Sequence, residues 1–71
     1  MRRRFEFIGG TSAKFWSVEV DGSIVRVQFG RLGIDGQQQE KQFADPAAAA
    51  KHAEKLIAEK IRKGYSETAA V

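Results

Sequence analysis

The chain contains no cysteine, which excludes both a disulfide framework and thiolate metal sites. It has one histidine, His52, too few for the imidazole clusters that hold catalytic zinc. Its longest apolar run falls far short of the roughly 18 residues that a membrane span needs. Arg2, Arg3 and Arg4 look like the start of a signal peptide, but Glu6, Gly9, Gly10 and Lys14 interrupt any apolar core behind them. A cytoplasmic location is therefore the expectation. No nucleophile–base pair, ligand set or carboxylate dyad stands out, so neither an enzyme nor a cofactor or metal is expected.

What is present must hold together by ordinary packing. Hydrophobic residues make up 42% of the sequence and there is one proline. Seventy-one residues are expected to form one domain, 1–71, with loose ends at about 1–3 and 67–71. A chain of this size buries only about 60% of its unfolded surface, so the core is small. The net charge of +3 and isoelectric point near 9.6 permit nucleic-acid binding without demonstrating it.

The first half alternates with a period of two, the signature of strands. Phe5 and Phe7 fall on one face, with Arg4 and Glu6 on the other. After Gly9–Ser12 the alternation resumes, with Trp16, Val18 and Val20 opposed to Phe15, Ser17 and Glu19. Asp21-Gly22 signals a hairpin turn, and the next strand sets Val25, Val27 and Phe29 against Arg26 and Gln28. Gly30, Gly33 and Asp35-Gly36 make a second turn region, followed by a more polar strand from Gln37 to Phe43. Asp45 is then a suitable N-cap, and Pro46 suits the first helical position. Ala49, Ala53, Leu56, Ile57 and Ile61 form an apolar helical stripe. Lys60, Arg62 and Lys63 complement the dipole, and Gly64 fits the position just past the end. The spacing predicts one helix from near Asp45 to near Lys63. The fold class expected is α+β: an antiparallel sheet of about four strands with one C-terminal helix across one face. The helix should cover Phe5, Phe7, Trp16, Val18, Val25 and Val27. Arg4, Phe15, Ser17, Arg26 and Gln28 should then form an open face.

The stretch Phe29-Gly30-Arg31-Leu32-Gly33-Ile34-Asp35-Gly36-Gln37 carries more information than its turn chemistry. It resembles the signature loop of the WGR domain family, named for Trp-Gly-Arg. Lys14–Glu19 is similar to the family's aromatic hairpin strand, Phe43–Ala49 to its helix entry, and Lys60-Ile61-Arg62-Lys63-Gly64-Tyr65 to its Lys-x-x-Lys-Gly-Tyr exit. The resemblance spans Lys14 to about Glu67. Phe29 replaces the family tryptophan, which keeps an aromatic ring and loses the indole N–H donor. The family occurs in several poly(ADP-ribose) polymerases, in bacterial proteins of the molybdate-regulator type and as short independent chains. In the polymerases the domain contacts DNA near strand breaks, with its loop against nucleic acid or a neighbouring domain. Carried over, Phe29, Gly30 and Arg31 are the implied contact residues, and no ADP-ribosyl transfer is implied.

Each candidate also has a plainer reading. Phe29 either closes the core at a strand end or packs on a sugar or terminal base. Arg31 offers a guanidinium fork to phosphate, or else pairs with Asp35 or Glu40. Lys14 and Arg26 extend a basic stripe over the open sheet face, provided Glu6 and Glu19 do not cancel it, and Arg2, Arg3 and Arg4 either add a phosphate-tracking arm or are simply a solvated terminal run. The expected function is non-enzymatic nucleic-acid binding, with DNA as the partner and RNA second, contacting phosphates and strand ends through the Phe29-Gly30-Arg31 loop and a basic surface. The alternative is a protein-interaction module using the same loop or the open face, with Phe15 exposed on it.

Overall fold

The computed structural model describes residues 2–68. In chain order they form β1 (Arg2–Gly9), β2 (Ser12–Asp21), β3 (Ile24–Arg31), β4 (Gln37–Gln42), α1 (Pro46–Arg62) and β5 (Ser66–Glu67). Every strand pair is antiparallel, in one sheet of order β4-β3-β2-β1-β5. The architecture is the expected α+β, an antiparallel sheet with one helix on one face, extended by a fifth strand. Of the ends expected to be loose, Arg2 and Arg3 pair within β1, and Glu67 pairs with Phe5. Met1 and residues 69–71 lie outside the described residues.

Alternation and register together set the two faces. Residues directly opposite one another in an antiparallel pair share a face. Phe5 stands beside Trp16, and Trp16 beside Phe29; Val18 stands beside Val27 and Val20 beside Val25. On this side Phe5, Trp16, Val18 and Val25 pack against Ala49, Ala53 and Ile57 of α1. The two alanines are completely buried, and their small side chains let the helix approach the strands closely. Phe5 and Val18 are also completely buried, and such burial contributes roughly 1.5–3 kcal/mol per side chain.

The helix begins and ends as its sequence dictates. Asp45 accepts a hydrogen bond from the Ala48 N–H at 2.8 Å, and Pro46 occupies the first turn. At the other end the Gly64 N–H donates to the Ile61 carbonyl and the Tyr65 N–H to the Lys60 carbonyl, each at 3.0 Å. With Gly64 at φ +103, this is the paired-bond reversal that glycine permits. It returns the chain to the sheet, sets Tyr65 against Phe7 at a ring separation of 5.6 Å, and starts β5. Ile61, expected in the buried stripe, is 54% exposed. The last turn presents Lys60 to the sheet instead, and Ile61 lies about 100° around the helix from it.

Two further expectations are corrected. The β2–β3 turn centres on Gly22-Ser23, one residue beyond Asp21-Gly22, because Asp21 still pairs with Ile24 and positive φ is needed only at Gly22. Phe15 does lie on the side away from the helix, but it is only 4% exposed, and Ser17 beside it 5%. The segment between β3 and β4 folds back over the Phe15 ring, while the Arg4 guanidinium lies 4.6 Å from its centre. That face is therefore not an open apolar surface.

Candidate functional site

The loop after β3 is shaped by two glycines in close contact. A Cβ on Gly30 would lie 2.8 Å from the Gly36 Cα, and a Cβ on Gly36 would run into the Phe29 carbonyl group. Gly36 is also at φ +76, where other residues are strained. The Gln28 side chain donates to the Asp35 carbonyl at 2.6 Å, and the Leu32 N–H donates to the Ala13 carbonyl at 3.0 Å. The loop is thereby fastened to the side away from the helix. Arg31, on the other parity, is turned to the helix side.

That parity decides which candidate residues meet. Arg31 stands directly opposite Lys14, and Lys14 shares a face with Trp16 and Phe29. Arg31 and Lys14 are both exposed; Phe29 is half-buried against the core. The last turn of α1 adds Lys60, whose ammonium lies 5.6 Å from the Trp16 ring and 5.2 Å from the Tyr65 ring. Burial lowers the Lys60 pKa, and the neighbouring charges of Lys63 and Lys14 lower it further against the opposing pull of Glu59. Lys14 and Lys63 thus each repel Lys60 at one end of the molecule. Among the described residues, none of these three and Arg31 has an ion-pair partner.

Arg4 and Arg26 are not part of this group. Both lie on the sheet face away from the helix, so the stripe joining Arg26 to Lys14 does not form. Arg26 is surrounded by Glu19, Asp21 and Glu40, and its hydrogen bonds to Glu40 and Asp21, with the charge of those two carboxylates, raise its pKa above the usual guanidinium value. Arg4 is 3.4 Å from Glu6. Glu40 is therefore occupied by Arg26, and Arg31 pairs with neither Glu40 nor Asp35. Arg3 is held at the far edge by Glu67 through two bonds of 2.7 Å.

Sequence reasoning put Lys60 and Lys63 at the helix C-terminus only as partners of its dipole and passed over them as site residues. The signal was available in the Lys-x-x-Lys-Gly-Tyr segment, where the glycine turn places Tyr65 under Lys60. The His52 ring lies tilted against Phe43, with centroids 4.8 Å apart. Among the described residues, no three His, Asp or Glu side chains converge to hold a metal ion, and no helix is long and apolar enough to cross a membrane.

Comparison with known proteins gives a consistent result. The family profile described as WGR domain matches residues 1–71. Protein YehF of Escherichia coli (strain K12) is 48% identical over 67 residues, covering 94% of this chain and 24% of that protein. The uncharacterized protein YfeS of the same organism is 39% identical over 67 residues, covering 94% of this chain and 28% of YfeS. A crystal structure of a Bacteroides fragilis protein superposes with a TM-score of 0.94 at 52% identity, over 97% of this chain and 20% of that one. The chain thus spans about a quarter of the length of the curated relatives it matches.

Proposed function

This chain belongs to the WGR domain family, and from that premise we propose that it is a binding module for nucleic acid, DNA in the first place, and performs no catalysis. In the poly(ADP-ribose) polymerases the family binds nucleic acid. The observation that carries the reading here is the convergence of Lys14, Arg31, Lys60 and Lys63 at one end of the helix side, without ion-pair partners among the described residues. Cations left unneutralised and held close together despite their repulsion are suited to phosphates. Arg31 supplies a planar fork, the lysines supply point charges, and Phe29 beside them offers an aromatic ring to a sugar or base. The grip is on the backbone: α1 carries Glu54 and Glu59 among its lysines, and no row of base-reading side chains projects from it.

Arg26 and Arg4 take no part in this reading, because each already faces carboxylates. The protein-interaction alternative drew on the same loop or on an open face with Phe15 exposed; Phe15 is buried, which removes its support from the face and leaves that of the loop. The test is fluorescence anisotropy of a short blunt duplex with three variants. Arg31→Ala and Lys14→Ala should each weaken binding by about tenfold or more, since a hydrogen bond to a charged group is worth roughly 1.5–3 kcal/mol. Arg26→Ala should leave affinity within about twofold, its charge being compensated. Equal losses at Arg26 and Arg31 would move the interface to the other face.

A further inference from the structure

The cation cluster opens onto a groove that the core does not fill. α1 packs on β2 and β3, and between the helix and the β3–β4 half of the sheet runs a groove of about 660 Å³. Trp16, Val25, Val27, Phe29 and Leu56 line it with apolar surface. Lys60 stands at the Trp16–Phe29 end, and Lys41, which pairs with Val25, at the other. Gln39 contributes a carboxamide, a group that both donates and accepts hydrogen bonds. Two carboxylates also border the groove, Glu59 next to Lys60 and Glu40 held by Arg26.

Lys60 and Phe29 belong to this groove and to the phosphate site alike, so whatever occupies one is continuous with the other. The shape of the site is amphiphilic in a particular sense: cations outside, aromatic and apolar surface inside, and the polar side chains of Gln39 and His52 on the wall. A duplex does not fit a space of that volume, whereas one base on a single strand does. An apolar peptide would fill the floor and leave the cations at both ends without counter-charges. We infer that the groove accepts an unpaired nucleobase from a single-stranded stretch whose phosphates lie on Lys14, Arg31 and Lys60. The protein then prefers a duplex end with an overhang to a blunt one. This rests on the nucleic-acid reading above and adds to it the class of structure recognised.

The experiment compares three duplexes identical except at one end: blunt, with a three-nucleotide overhang, and with the same overhang made abasic. The base-bearing overhang should bind about tenfold tighter than the abasic one, in keeping with stacking of one base on aromatic side chains. The same ligand should shift the methyl resonances of Val25, Val27 and Leu56 and alter the fluorescence of Trp16, the single tryptophan of the sequence. Gln39→Trp, at an exposed position on β4, should fill the groove and erase the difference while leaving blunt-duplex binding intact. Equal binding of abasic and base-bearing overhangs, with salt-sensitive blunt binding preserved and methyls unmoved, overturns the base assignment and leaves the phosphate site standing. That result would also return the groove to a protein segment. Failure of every duplex to bind at low salt removes the phosphate site and the groove assignment together.

Discussion

Alanine at Gly36 should destabilise the fold distinctly more than alanine at Gly33, although the two glycines lie three residues apart in the same loop. Both have positive φ, +76 at Gly36 and +95 at Gly33, so both substitutions carry the left-handed penalty of roughly 1–2 kcal/mol. They differ in surroundings. A Cβ at Gly33 meets nothing within 4 Å, whereas at Gly36 it would lie 2.8 Å from the Phe29 carbonyl carbon and 3.1 Å from the Phe15 ring. Neither neighbour is a flexible side-chain tip, so the backbone itself must move. Forced overpacking of this kind costs a further 1–3 kcal/mol or so, giving about 2–5 kcal/mol in total. For a domain of this size each kcal/mol lowers Tm by about 4–8 °C. Thermal unfolding followed by far-UV circular dichroism should therefore place Gly36→Ala at least about 4 °C below Gly33→Ala. Equal Tm values would refute the close packing of the loop on Phe15.

Asp45→Ala removes the acceptor for the Ala48 N–H and should cost about 1 kcal/mol, or roughly 4–8 °C in Tm, with Asp45→Asn recovering most of it. At the far edge, hydrogen bonding to Arg3 lowers the Glu67 pKa below 4.5. A carboxylate whose pKa is depressed in the folded state stabilises above its ordinary pKa and loses that contribution as pH falls through the folded value. Below pH 4.5, therefore, β5 should loosen from β1. The readout is the exchange protection of the Thr68 N–H, which donates to the Arg4 carbonyl at 2.9 Å. Constant protection well below that pH would show that the ion pair does not hold the strand.

Local chemistry accounts for how much of the fold was legible in the sequence. Asp45, Pro46 and Gly64 mark the helix ends because caps are set by adjacent residues, and the helix runs from Pro46 to Arg62 as the spacing predicts. Alternation assigned Phe5, Trp16, Val18 and Val25 to the covered face correctly. It carried equal information about Lys14, which has the parity of Trp16 and so belongs to the helix side; grouping it with Arg26 followed charge and ignored parity. The burial of Phe15 was beyond reach, because its cover comes from a loop some twenty residues later and from Arg4 across the sheet. The neutralisation of Arg26 depends likewise on strand register, which brings Glu19 and Glu40 alongside it. Lys60 was legible as a helix-terminal cation. Its place over Trp16 required the angle at which the helix crosses the sheet.

The salt dependence of duplex binding tests the central claim most directly. If Lys14, Arg31, Lys60 and Lys63 each engage a phosphate, the slope of log K against log salt should be about −3 to −4, from roughly −0.9 per contact on duplex DNA. The Arg31→Ala variant should be shallower by about one contact. A slope near zero, or no binding at the lowest salt, would contradict the claim that this cluster is a phosphate grip.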